Sequence, residues 1–259
     1  MNAYRITFVR VTRSEWGKLT ALRSTWVVLS VIALITVGLA AAINWNIYRV
    51  PGAEVSPDAL NAQAFLGVDV VSLVLGVFGI LMITGEFGSG LVRATFAAVP
   101  RRVPVLWAKA AALGVAALPL MLLACATSLA AGEAFLPSGQ RIPLGDIDGA
   151  ALLGAAVAPV ALALIGLGVG ALVRHTAAAI TVYVLVMLVL PAILQPALPE
   201  RIADDVLRFV PVAAAQAMYA GDSGNPFRML APGPAGLTIA VWVLLALASG
   251  SVALWRRDP

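Results

Sequence analysis

Charge, cysteine and histidine are scarce in this sequence, and each scarcity removes a class of function. Only 12% of the 259 residues are charged and 61% are hydrophobic, with a mean hydropathy of +0.96, whereas a soluble domain carries about 25% charged residues. The chain therefore reads as an all-α integral membrane protein. Cys125 is the single cysteine, so no disulfide can form within the chain. His175, the single histidine, stands beside Arg174; zinc-type sites need several ligands, and His175 reads as a surface residue at a turn. No phosphate loop of the form GxxxxGK[ST] occurs, so any ATP would have to be bound by another chain. The apolar runs hold no paired carboxylates, no serine with a base and no histidine at depth, which argues against an intramembrane enzyme.

What is abundant is apolar sequence in long runs. Six of them, 25–44, 65–84, 103–131, 149–173, 177–194 and 235–255, match the roughly 20 residues that cover a hydrocarbon core. Trp26 and Trp45 flank the first as interface anchors. Pro119 predicts a kink in the third. The fourth contains Pro159, with Gly166 and Gly170 at the GxxxG spacing that some helix dimers use. The longest connection, 195–234, carries an apolar patch over 209–219 that is too short to cross; it dips into the outer leaflet or caps the helices.

Lysine and arginine set the orientation. With both termini and the loop 85–102 inside, 12 of the 17 basic residues are cytoplasmic, leaving Arg49, Arg141, Arg201, Arg208 and Arg228 outside. That bias is the one expected of a multi-pass protein of the cell (plasma or inner) membrane. The net charge of +4 does not point to nucleic acid, because the basic residues lie beside apolar runs and not on a continuous polar surface.

Residues 1–24 carry charges throughout, which is not the pattern of a cleavable signal. On a helix, Phe8, Val9, Val11, Trp16, Leu19 and Leu22 fall on one side and Arg10, Arg13, Ser14, Gly17 and Lys18 on the other. This predicts an amphipathic helix lying in the membrane interface. Glu15 falls inside the apolar arc; it either reaches out to water or meets a basic partner on a neighbouring element. The loop GEFGSGLVRATFAAVPRR, residues 85–102, is a polar and basic island between two spans. Pro100 ends any helix there. A short surface helix over 91–99 remains, with Leu91, Ala94, Thr95 and Ala98 on one face as a docking surface. In the second span, Asp69, Ser72, Gly76 and Gly79 follow helical spacing and form one stripe, read either as close helix packing or as a substrate path.

The entry segment SEWGKLTALRSTW, the six spans, the loop motif Gly85, Glu86, Gly90, Arg93, Pro100, Arg101, Arg102 followed by Lys109, the run Pro211 to Gln216 and Ala217, and the tail WRRDP together resemble the permease subunits of type-2 ATP-binding-cassette exporters. The resemblance covers nearly the whole chain. It implies a domain of six spans, 25–259, after an elbow helix, 1–24, that carries Glu15, Trp16 and Lys18. It also implies a second permease subunit, equal or different, and a separate ATPase that binds ATP and Mg. A coupling helix would dock on that ATPase, with Glu86, Gly90, Leu91, Arg93, Ala94, Thr95, Arg101 and Arg102 as the coupling residues. The stripe Asp69, Ser72, Gly76 and Gly79 is then expected to face the partner permease across the path. Spans with few hydroxyls favour a hydrophobic or amphipathic cargo. The alternative is an ion-coupled secondary transporter, which normally carries ionisable groups near the bilayer midplane.

Overall fold

The computed structural model describes residues 7–48, 65–99, 102–134, 148–220 and 230–256, which are helical and contain no strand. In chain order the helices are α1 (Phe8–Ala21), α2 (Arg23–Tyr48), α3 (Leu66–Gly88), α4 (Leu91–Ala98) and α5 (Val103–Ala134). There follow α6 (Gly149–Val173), α7 (Thr176–Ala197), α8 (Glu200–Leu207), α9 (Pro211–Gln216) and α10 (Pro232–Arg256). Six of these, α2, α3, α5, α6, α7 and α10, are long and apolar enough to cross a bilayer. The protein is a helical, multi-pass membrane protein.

Burial sorts the six spans. α6 is apolar on every side and rich in alanine and glycine, and a helix of that kind belongs in the middle of a bundle. It is the most enclosed span and packs against α3, α5, α7, α9 and α10. The core around it includes Ile32, Leu75, Ile80, Leu113, Met121, Leu162 and Tyr183. α2, α7 and α10 turn large apolar side chains outward, among them Leu34, Val182 and Leu237, as helices facing lipid do.

Local chemistry sets the helix ends. The Asp148 carboxylate accepts the N–H groups of Ala150 and Ala151 at 2.9 and 3.2 Å, satisfying donors that a helix start leaves free. At the other end of α6, Arg174 takes a left-handed backbone with φ of 62° and its N–H donates to the Gly170 carbonyl, a C-terminal cap usually made by glycine. His175 then caps α7 by accepting the Ala178 N–H at its Nδ1, so the surface histidine closes a two-residue turn. Within α7 the helix widens to a π turn over Leu185–Val189. Pro191 follows, and its missing N–H and bulky ring disturb the ordinary ladder to residue 187. α5 runs through Pro119 as one helix. Of the long connection expected over 195–234, residues 221–229 lie outside the described residues; in the described part α7 extends to Ala197, α8 and α9 follow, and the apolar patch packs on the bundle with Pro211, Ala214, Ala215 and Tyr219 buried.

Small residues bring α3 and α6 together. Lipid tails are as apolar as leucine, so helices inside a bilayer associate through close packing and not through exclusion of water. A Cβ built on Gly79 would lie 2.1 Å from the Ala163 carbonyl oxygen, one on Gly166 would lie 2.1 Å from the Gly76 oxygen, and one on Gly170 would lie 2.8 Å from Ile83 Cγ2. A Cβ on Gly76 would meet the Tyr183 hydroxyl at 1.9 Å. Gly76 and Gly79 therefore pack within the chain, against Tyr183 and α6, as the Gly166 and Gly170 pair does against α3.

Gly79→Val should force α3 from α6 and lower stability by about 1–3 kcal/mol or more, the range for overpacking. Gly114→Val, where an added Cβ meets nothing within 4 Å, should be nearly neutral. Thermal unfolding of the detergent-solubilised variants checks the contrast; equal midpoints would remove the seam from the account.

Candidate functional site

Two polar clusters stand at opposite ends of α3, about 25 Å apart by the rise of a helix. Glu86 lies at one end and Asp69 at the other.

At the Glu86 end, four ions close a ring. Lys18 Nζ donates to Glu15 Oε1 at 2.7 Å and to Glu86 Oε1 at 3.1 Å, and Lys109 Nζ donates to Glu15 Oε2 at 2.5 Å and to Glu86 Oε1 at 2.8 Å. The third proton of Lys18 goes to Thr95 Oγ1 at 3.1 Å, so this ammonium has every donor used. Glu15 is 2% exposed and Lys109 3%. Glu15 therefore meets a basic partner, and the apolar arc in which it sits is the buried stripe Val11, Glu15, Leu19. The Lys18 ammonium loses water on burial, which works against its charge, yet the Glu15 and Glu86 carboxylates outweigh this and raise its pKa above the ordinary 10.5.

The ring joins α1, α3, α4 and α5. Around it Val11, Val105 and Ala108 form a small core on which Phe96 and Val99 pack. Gly90, with φ of 73°, makes the left-handed step between α3 and α4 that glycine adopts without a Cβ clash. α4 then buries Val92, half-buries Thr95 and Phe96, and turns Leu91, Arg93, Ala94 and Ala98 outward. Between α1 and α4 runs a cleft of about 490 Å³ lined by Arg10, Ser14, Leu91, Ala94 and Ala98 among others. Trp16 is on the outer side of α1, 39% exposed, beside the more exposed Phe8 and Val9.

Two arginines fasten the same end of the bundle. Arg174 Nη2 donates to the Ala253 carbonyl at 2.8 Å and Arg102 Nη1 to the Leu254 carbonyl at 3.5 Å, where cations meet the negative C-terminal end of α10. Their guanidinium groups also stack over Phe87 and Phe96 at 5.2 and 5.5 Å. Of the basic residues expected at a docking face, Arg93 is exposed, Arg102 is engaged with α10, and Arg101, with Pro100, lies outside the described residues.

At the far end, Asp69 Oδ1 accepts the Tyr219 hydroxyl at 2.5 Å and Gln216 Nε2 at 3.0 Å. Phe65 meets the edge of the Tyr219 ring at 6.0 Å between centroids. Ser72, one turn along α3, is buried and its hydroxyl has no hydrogen-bond partner among the described residues. Both side chains line a cavity of about 160 Å³.

Sequence reasoning left Lys109, Tyr219, Gln216 and Arg174 out of these sites. For Lys109 a signal existed: it stands among apolar residues and Glu15 falls within the apolar arc of its helix, and opposite charges so placed look for one another in a low dielectric. No comparable signal marks Tyr219.

Lys109→Met should cost about 3–5 kcal/mol, the range for removing one partner of a buried ion pair, with Lys18 holding the loss toward the lower figure. Arg93→Met, at an exposed site, should stay within about 0.5 kcal/mol. Because the Lys18 pKa is raised on folding, its contribution is complete below 10.5 and is lost only as pH rises through the higher folded value. Unfolding midpoints measured across neutral and alkaline pH check both statements; a stable Lys109→Met protein would make the ring incidental.

Compared with known proteins, no family model and no curated sequence matches this chain.

Proposed function

We propose that this chain is the membrane-spanning permease subunit of an ATP-driven exporter. It pairs with a second permease subunit and is driven by a separate ATP-binding-cassette ATPase that binds the ATP and Mg. α4 is the coupling helix, α1 is an elbow helix in the membrane interface, and both termini and the 85–102 loop are cytoplasmic in the cell membrane.

The observation that carries this reading is the ion ring. A helix of eight residues cannot hold its own fold in water, yet α4 is tied through Thr95 to Lys18, and through Lys18 to Glu15, Glu86 and Lys109. Force applied to the outward face of α4 would therefore pass into α1, α3 and α5 together. The loop motif and entry segment that resemble type-2 permeases fall on these elements. An ion-coupled carrier fits less well, because the acidic and basic residues of the six spans sit toward helix ends: Arg23 on α2, Asp69 and Glu86 on α3, Lys109 and Glu133 on α5 and Arg256 on α10.

Arg93→Glu should weaken association with the partner ATP-binding-cassette ATPase, sought by pull-down from the source cells, by about tenfold or more, and leave the unfolding midpoint unchanged. Undiminished association would move the docking face elsewhere. Failure of the unaltered chain to associate at all, with cargo moved instead by an ion gradient, would favour the secondary carrier.

Orientation is checked separately in a Cys125→Ser background. Ile202→Cys, half exposed on α8, should react with an impermeant thiol reagent added to intact cells, and Arg93→Cys should not. The reverse result would invert the topology.

A further inference from the structure

The polar cluster at the Asp69 end is not explained by coupling. Asp69 lies in the first turn of a span, where a carboxylate is costly unless paired or buried in protein, yet it has no ion-pair partner among the described residues. Its two hydrogen bonds, from Tyr219 and Gln216, both fall on Oδ1. Oδ2 accepts none among the described residues, and Asp69 lines a cavity of about 160 Å³. Ser72, 4% exposed, lines the same cavity, with its hydroxyl oxygen closed off and without a hydrogen-bond partner among the described residues. A carboxylate with one oxygen left without a donor thus borders a single small space. Apart from Gln216 and Tyr219, the rest of its wall is apolar, with Leu73, Leu162, Met187 and Val212.

We propose that this cavity binds the ammonium head of an amphipathic organic cation, the cargo class of the permease proposed above and dependent on that reading. A primary ammonium has three N–H donors. Asp69 Oδ2 accepts one of them, and the first carbons of its chain lie on the leucine, methionine and valine wall. Tyr219 and Gln216 hold the carboxylate in place through the other oxygen, so it is oriented before the ligand arrives. The volume is close to that of an apolar cavity that takes one benzene-sized group, which suits a head and a few carbons and not a whole lipid. Val70 and Leu188 at the rim are 47% and 52% exposed, so the hydrocarbon tail leaves toward the outer surface of the bundle. The π turn of α7 sets Met187 into the wall, and such turns recur at ligand sites. A hard metal ion fits less well, since it asks for about six oxygen ligands.

Equilibrium binding of radiolabelled n-octylammonium to the full chain in lipid nanodiscs, without any ATPase, tests this. Saturable binding at one site per chain is expected. n-Octanol, equal in length and uncharged, should not compete. Asp69→Asn should weaken binding by about tenfold or more. Competition by n-octanol as strong as by the amine would overturn the proposal, and this comparison uses the unaltered chain, so it holds even if Asp69→Asn folds poorly. Unchanged affinity in a folded Asp69→Asn protein would also overturn it. So would displacement of the amine by sodium but not by potassium at equal ionic strength, which marks a metal-ion site. Because the ATPase is absent from the measurement, a negative result removes the cargo class and leaves the permease reading untouched, while loss of ATPase association leaves amine binding untouched.

Discussion

A closed ring of two carboxylates and two ammoniums holds one end of this bundle together, and the arrangement of α1, α4 and the ends of α3 and α5 depends on it. Glu15 and Lys109 are almost completely buried, in surroundings where an unpaired charge would be expensive. Each is kept by the other, with Glu86 and Lys18 completing the circuit, so the local charge sums to nothing. A ring of this kind is poor glue compared with apolar packing, since desolvation offsets much of the attraction. Its value lies in specificity: only one rotation of α1 and one depth of α5 bring all four groups within hydrogen-bond distance.

The rest of the bundle is positioned by shape. Glycines on α3 and α6 let backbone meet backbone, and α6, having no polar face, is enclosed by its neighbours. That seam lies between the ionic end and the Asp69 end of α3. A displacement of α4 would reach Asp69 along a helix braced against α6, which links the proposed docking face to the proposed cargo site through one rigid element.

The two ends of α3 treat charge differently. At Glu86 the carboxylate is matched by two ammoniums; at Asp69 it is held by neutral donors on one oxygen, with no donor on the other among the described residues. The first arrangement resists change, and the second is the one proposed above to take a cation from outside the chain. Arg102 and Arg174, by binding the last carbonyls of α10, bring the end of the sixth span onto the resistant side.

Hydropathy and length determined the six spans, because the need to satisfy backbone groups inside a bilayer is met helix by helix, within about 20 consecutive residues. The short helix after Gly90 and the turn at Arg174 and His175 were legible for the same reason, since glycine, proline and charge act on their immediate neighbours. Which groups meet was decided only in three dimensions. Glu15 and Lys109 are 94 residues apart in the chain; periodicity marked Glu15 as a misfit but could not choose between water and a partner, because that choice depends on which helix lies against α1. The stripe on α3 was visible as a stripe; that its glycines pack against α6 and Tyr183 was not. Spacing along one helix defines a face but not what covers it; that is settled by how neighbouring helices rotate to pack, a property no single segment contains.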